Sequence, residues 1–410
     1  MSQSSTTPQK YDLLAPEALV NPYPLYQKIR SEDPVYFYEK GGFWFLTRHK
    51  DVEAGFQDTR LSSDRQGFAD VQLQTLDLSK IQNYSKLMST FMVEKDPPIH
   101  TKLRKIAQPG LTAKALENWQ VVIQNLVDNL LDQIENKQNI ELVNDLALEL
   151  PATVISKIFN VPDTSRKDFV QWGLDIVRFW GFSGSENVGE IAQVADQAAL
   201  NFMNFVEELV VERQQHPGDD MISLLIAASQ EHGVSLEFLP STCFTILTAG
   251  HTTTSDVICN GLYALLTHPQ QWQMLKEHPE LINTAIEELI RFDPPVQMLF
   301  RVAKENLMIG GKEIKAGEMV ALGIGAANRD PEKFHHPETL DITRSPNEHL
   351  GFGKGIHFCL GAILARMELK ACFSTLLRRM PNLMLDPDNT PVVDRDYLLS
   401  KGFKSLPLKF

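Results

Sequence analysis

The chain has 410 residues, is 43% hydrophobic and carries a formal net charge of −13. That apolar fraction excludes a disordered chain, and four cysteines in this length exclude a disulfide scaffold. The acidic balance argues against a protein whose main partner is nucleic acid. The opening MSQSSTTPQKYDLL is polar and lacks the charged-then-apolar layout of a signal peptide. Residues 1–14 are expected to be disordered, and residues 15–410 to form a single domain.

Residues 35–47, VYFYEKGGFWFLT, read as two short strands around the Gly41-Gly42 turn. From about 97 to 292 the apolar spacing is helical. Long amphipathic stretches run from Ala115 to Asn136 and from Val188 to His216, the second closed by Pro217-Gly218. The uncharged run between Glu237 and Asp256 is long enough to span a bilayer. Its content does not fit one: it holds Pro240, His251 and a series of serines and threonines. It reads as a buried helix with a polar centre, from about 237 to 267, in a cytoplasmic protein with no membrane anchor. A further helical segment, 280–292, stops at Asp293-Pro294-Pro295. Segments 298–303, 307–309 and 318–324 then look like strands with glycine turns, and 325–358 reads as mostly loop. A last helix starts near Cys359 and runs to about Arg379, before a tail of short strands. The expected fold class is mainly α with minor β, a helical core plus small sheets.

The chemistry concentrates in FGKGIHFCLGAILARMELK, which begins at Phe352. Cys359 stands where a glycine-rich loop enters a helix. The positive end of the helix dipole and the free backbone N–H groups there favour thiolate. Gly353, Gly355 and Gly361 let the backbone bend around the sulfur and a flat ligand approach. Cys243, Cys259 and Cys372 sit in apolar helix and read as core fillers. Zinc held by His357 and Cys359 lacks a second ligand pair.

Phe352, Gly353, Gly355, His357, Cys359 and Gly361 match F-G-x-G-x-H-x-C-x-G at every fixed position. Chance occurrence in a chain of this length is on the order of 10⁻⁵ from residue frequencies. Here the chain resembles the cytochrome P-450 superfamily of haem-thiolate monooxygenases, and the resemblance covers about residues 15–410. It implies haem b (iron protoporphyrin IX), with Cys359 as the thiolate on iron, a ligand that pushes electron density onto the metal and favours O–O cleavage. In LTAGHTTTSD, the resemblance implies that Ala249 and Gly250 leave room over the haem. It also implies that Thr253 hydrogen-bonds the bound oxygen and guides protons. Similar sequences carry Asp or Glu before that threonine; this chain has Thr252. Protons would then pass through Thr252 and water, or come from Asp256 at i+4 from Thr252. His251 is read as a packing or structural residue.

An E-x-x-R is uninformative alone. By resemblance, Glu288 and Arg291 form a buried pair tied to Arg344, holding the loop that carries the cysteine. Four cations match positions that hold the haem propionates: His100 and Arg104, at i and i+4 of one helix, Arg301 and His357. Leu299 is expected against the haem. The expected substrate pocket is Leu87, Met88, Phe179, Val296, Met298, Leu299 and Phe403; the aromatic-rich segment 169–182, placed between two helices, either lines or lids its entrance or is ordinary helix packing. Pro109-Gly110 departs from similar sequences, which have a helix-compatible small residue and an aromatic there.

The implied reaction inserts one atom of O2 into an apolar small molecule, by hydroxylation or epoxidation. No G-x-G-x-x-G follows a strand, so electrons are expected from a separate protein; the resemblance implies a ferredoxin or flavodoxin with its reductase, supplied ultimately by NAD(P)H. Lys102, Lys105 and Lys354 form a local basic patch suited to an acidic donor. The alternatives are a peroxide-driven haem-thiolate peroxygenase and a non-catalytic haem-binding sensor or carrier.

Overall fold

The computed structural model describes residues 10–65, 78–135, 137, 139–181 and 187–410. In chain order the helices are α1 (Pro16–Val20), α2 (Tyr23–Glu32), α3 (His49–Gln57), α4 (Gln82–Met88) and α5 (Ile99–Ala107). Then come α6 (Trp119–Ile134), α7 (Glu149–Ile158), α8 (Asp163–Gly181), α9 (Val188–Gln215) and α10 (Met221–His232). The series ends with α11 (Leu239–Thr267), α12 (Pro269–Glu277), α13 (Ile282–Phe292), α14 (Ile324–Ala327) and α15 (Ala362–Arg379). Among the described residues no helix is long and apolar enough to cross a membrane. The uncharged run lies in α11, whose Leu239–Thr248 portion is buried throughout. Its threonine hydroxyls bond back along the helix, Thr245 to Ser241 O at 2.9 Å and Thr248 to Phe244 O at 2.9 Å, which satisfies them without water.

The expected hairpin is β1 (Val35–Tyr38) and β2 (Phe43–Leu46). It joins β3 (Leu61–Ser62), β5 (Leu299–Ala303) and β8 (Met319–Leu322) in a sheet of order β1-β2-β8-β5-β3. β2 and β8 run parallel and the other neighbours antiparallel. Smaller ladders are β6 (Leu307–Ile309) with β7 (Lys312–Ile314), and β4 (Asn139–Glu141) with β12 (Pro407–Lys409) and β9 (Met384–Leu385). The last is β10 (Val392–Val393) with β11 (Phe403–Ser405). The main apolar core lies among α4 to α15, and two smaller cores flank the two faces of the large sheet.

Of the segment expected to be disordered, residues 1–9 lie outside the described residues, and Tyr11 and Leu13 are buried. Tyr11 Oη donates to Glu32 at 2.5 Å and its ring packs on Tyr36, which fixes this end of the chain to α2 and β1. The departure at Pro109-Gly110 has a packing reason. A Cβ on Gly110 would stand 2.5 Å from Met221 Sδ, so the missing side chain lets α10 close on the turn after α5.

The stretch from α14 to α15 is mostly loop and needs fixing from outside. Arg291, in α13 and fully buried, provides it. It forms a fork with Glu288, Nε to Oε2 at 2.7 Å and Nη2 to Oε1 at 2.8 Å. Its remaining donors reach the carbonyls of Asn328 at 2.8 Å, Pro337 at 2.9 Å and Thr339 at 3.2 Å. Glu288 in turn accepts from Arg344 Nε at 3.0 Å, Asp341 N–H at 2.9 Å and Asn347 Nδ2 at 3.2 Å. Removing one member of such a cluster strands a buried charge. Arg291→Ala is therefore expected to destabilise the fold by about 3–5 kcal/mol, read from urea unfolding. Arg344→Gln, which leaves the Glu288–Arg291 fork in place, should lose less.

Candidate functional site

The loop before α15 is short of regular structure and rich in fixed contacts. Cys359 N–H donates to Phe352 O at 2.8 Å, closing the signature segment on itself. Gly353 and Gly355 sit at φ +68° and +69°, the left-handed region in which a Cβ is strained. Helix α15 begins at Ala362 with Gly361 as its N-cap, so Cys359 lies just outside the helix rather than at its first residue. Burial, the dominant influence, pushes its thiol up; the Gly361 N–H and the guanidinium groups of Arg104 and Arg366 oppose it. Desolvation thus works against a charged sulfur here, while these donors work for it.

A second clamp, absent from the sequence reading, ties this loop to α13. Arg366 of α15 grips Glu287 with Nε to Oε1 at 2.6 Å and Nη2 to Oε2 at 2.7 Å. Its guanidinium lies 4.3 Å from the Phe352 ring centroid. His349 Nδ1 accepts from Gly351 N–H at 3.1 Å, so its proton sits on Nε2 and points to Glu287 at 3.1 Å. The run EELIR thus uses adjacent glutamates for two different anchors. The signal available was only that Glu287 and Arg366 are charges beside motifs.

Helix α5, strand β5 and the cysteine loop bring their basic groups together. The rings of His100 and His357 stand 4.0 Å apart between centroids. Arg104 Nη2 donates to Phe358 O at 2.7 Å, and Arg301 Nη1 to its neighbour Phe300 O at 2.8 Å. Burial, with Arg104 and Arg301 nearby, pushes His100 down to about 4. Burial, then His100 and Arg301, push His357 down to about 3. Burial and Arg65 push Arg301 down to about 10. Each shift says that positive charge here lacks a negative partner. Asp96, the acid within reach, is taken by Ser62 Oγ at 2.6 Å and Ser63 N–H at 2.9 Å. His100 Nδ1 is buried without a hydrogen bond. Such a cluster fits a ligand bearing carboxylates, and a soft, half-buried sulfur stands beside it. His100, Arg104, Arg301 and His357 could hold the propionates of a haem whose iron Cys359 ligates.

The rim of this cluster carries a further contact that sequence reading missed. Glu94 accepts from Trp180 Nε1 at 2.7 Å and pairs with Arg65. Arg65 lies 5.8 Å from the Trp180 ring and 6.0 Å from the Phe300 ring. The aromatic segment 169–182 is the C-terminal half of α8 rather than a link between helices, and Phe182 lies outside the described residues.

On α11, Ala249 is exposed and Thr252 and Thr253 are half-buried. Thr253 Oγ1 donates to Ala249 O at 2.6 Å and Thr252 Oγ1 to Thr248 O at 3.3 Å. Gly250 serves a different end from the one expected. A Cβ there would lie 2.8 Å from Ile155 Cδ1, so its missing side chain admits α7 rather than a ligand. His251 is buried, and its Nε2 lies 3.1 Å from Leu148 O, a structural bond between helices.

The expected pocket residues do not share one surface. Met298 is fully buried in the N-terminal aromatic core, because strand alternation turns 298 and 300 to the opposite face from 299 and 301. Phe300 meets Phe43 at 4.9 Å on that same face. Phe403 packs on Tyr263 at 5.0 Å, Phe179 packs on Tyr84 at 4.8 Å, and Leu87 and Met88 are buried in the helical core. Val296 and Leu299 are half-buried on the other sheet face, Val296 bridging to Ser400. Lys102 and Lys105 are exposed on α5, while Lys354 is engaged by Glu53 at 3.0 Å.

Known proteins resemble this chain along most of its length. The cytochrome P450 family model matches residues 77–401. Cytochrome P450 CYP107DY1 of Priestia megaterium is 37% identical over 97% of this chain and 98% of its own length. The vitamin D(3) 25-hydroxylase of Pseudonocardia autotrophica is 35% identical over 100% and 98%. Among solved structures, P450BioI in complex with an acyl carrier protein ligated to hexadec-9Z-enoic acid superposes with a TM-score of 0.88 at 35% identity, covering 96% of this chain and 99% of that one.

The Glu287 clamp sets an acid dependence. Burial opposes ionisation, but the hydrogen bonds from Arg366 and His349 prevail and hold the carboxyl at about 2 rather than 4.5. A depressed folded value gives stability that is complete above 4.5 and lost as pH falls towards about 2. Wild type should therefore exceed Arg366→Gln in urea stability at pH 7. The gap should narrow steadily below pH 4.5.

Proposed function

The chain belongs to the cytochrome P450 family of monooxygenases, and from that premise we propose that it inserts one atom of O2 into an apolar small molecule with electrons from a separate redox protein. The observation that carries this reading is the convergence at Cys359: a sulfur in a glycine loop beside buried basic groups that no acid neutralises. Haem, when bound, supplies activation of oxygen and its transfer to substrate. The residues have separable tasks. Cys359 ligates the metal. Arg104 and Arg301 pair with the propionates, and His100 and His357 donate hydrogen bonds to them. The ion cluster of Glu288, Arg291 and Arg344 and the grip of Arg366 on Glu287 keep the cysteine loop from moving. Thr253, backed by Ala249 O, orients a hydroxyl over the open face of α11.

The substrate we propose is a fatty-acyl or sterol-like molecule. Support comes from one relative that hydroxylates vitamin D(3) and one structural neighbour seen with a fatty acyl carrier. Lys102 and Lys105 stand exposed on the helix that also carries His100 and Arg104, which favours docking of an acidic ferredoxin or flavodoxin, charged ultimately by NAD(P)H.

The reduced, carbon-monoxide-bound absorption spectrum tests the central assignment. Wild type should give the red-shifted Soret band of a thiolate-ligated haem, and Cys359→Ala should lose it; a wild type without that band removes the reading. Arg301→Leu should keep the band but release haem to apomyoglobin about tenfold faster or more, since a hydrogen bond to a charged group contributes roughly 1.5–3 kcal/mol. Fatty acids and sterols are expected to produce low-to-high-spin shifts in a titration; charged sugars are not.

A further inference from the structure

Between Leu239 and Leu262 the positions of α11 that are not buried are Ala249, Gly250, Thr252, Thr253 and Asp256. Spacings of three, four and seven place Ala249, Thr252, Thr253 and Asp256 on one stripe, and Ile155 already fills the space at Gly250. The stripe is therefore the part of this stretch of α11 that packing leaves incompletely covered, and Asp256 is its acid.

The Asp256 carboxyl has no hydrogen-bond or ion-pair partner among the described residues. It rests on the backbone of the 400–403 turn: a Cβ on Gly402 would lie 2.0 Å from its Oδ1. The nearby cation, Lys401, is taken by Asp293. Desolvation, then Asp394 and Asp293, raise Asp256 well above the usual carboxylate range, against Lys401. Burial thus favours its protonated form. Thr252 and Thr253 lie one turn away. Each donates its own hydroxyl to a carbonyl, at 3.3 and 2.6 Å, and so keeps lone pairs free to accept. On the other side, Asp394 N–H bonds Gly402 O at 3.0 Å. Lys404 links Asp394, at 3.6 Å, to exposed Asp396, at 2.7 Å. Asp394 and, through Lys404, exposed Asp396 thus border the Gly402 segment against which Asp256 lies.

We propose that Asp256 relays protons to the oxygen chemistry through Thr252 and Thr253, taking the part that a non-acidic residue at 252 leaves open, and is recharged from the Asp394–Asp396 turn. Each transfer moves one proton from the carboxyl to the accepting oxygen and leaves a carboxylate, which regains a proton from water at the turn; no electrons move. Asp256 is a positioning residue for protons, and the proposal rests on the monooxygenase reading above.

The test compares wild type, Asp256→Asn, Asp256→Glu and Asp256→Asn/Thr252→Glu. A plant-type ferredoxin with its reductase serves as electron donor and myristic acid as probe substrate. Asp256→Asn should keep haem content and the carbon-monoxide band. Product formed per NADPH should fall about tenfold or more, with peroxide released instead and a larger solvent deuterium isotope effect. Asp256→Glu and the double variant should restore coupling. Unchanged coupling and isotope effect in Asp256→Asn overturn the proposal, as does a loss that neither rescue repairs. Infrared difference spectroscopy, which needs neither substrate nor donor, should show a protonated-carboxyl band in wild type that Asp256→Asn lacks; a wild type without it also overturns the proposal. Loss of the thiolate band in every variant would instead sink the monooxygenase reading itself.

Discussion

Arg291 holds together a part of the chain that cannot hold itself. Between α14 and α15 the backbone has few internal ladders, yet it must present one sulfur in one place. A guanidinium with donors spread in a plane can satisfy a carboxylate and three carbonyls from different points of that loop at once. Because the cluster is buried, each partner is needed by the others, and the loop gains a single conformation rather than many. Glu287 and Arg366 repeat the device one residue away, this time gripping the loop from the helix that follows it.

The second constraint is charge imbalance. Many basic residues are paired: Arg213 with Asp220, Arg329 with Glu338, Arg379 with Asp128, Asp132 and Glu135. Arg104, Arg301, His100 and His357 have no ion-pair partner among the described residues, and depressed values for Arg301, His100 and His357 follow from burial and mutual repulsion. A protein that keeps such a cluster unneutralised is built to receive a partner carrying negative charge. The chain's acidity as a whole makes that local excess more specific.

The long helix α11 joins these features to the opposite side of the site. Thr242, Thr245 and Thr248 each donate to a carbonyl one turn earlier, so its first turns can be buried and polar at the same time. It opens along one stripe, where small and polar residues replace large apolar ones. The Glu94–Arg65–Trp180 contact ties the end of α8 to this region through a residue that also repels Arg301.

Much was legible in the sequence where the physics is local. Helix periodicity places Glu288 and Arg291 on one face, and His100 and Arg104 on another. The glycine spacing around Cys359 specifies a loop whatever surrounds it, and the hairpin at Gly41-Gly42 follows from turn chemistry. Relations between faces were not legible. Met298 turned into the N-terminal core because strand parity, not position in the chain, decides which way a side chain points. Gly250 went to Ile155. Glu287 found Arg366 only because α13 and α15 pack together. By itself, then, the sequence determined the family, the glycine loop that carries Cys359 and the residues that pair within one turn of helix. Only the tertiary structure decided which distant charges meet, which small residues serve packing, and that Asp256 lies unpartnered against Gly402. Those outcomes depend on distances across the fold that no local spacing encodes.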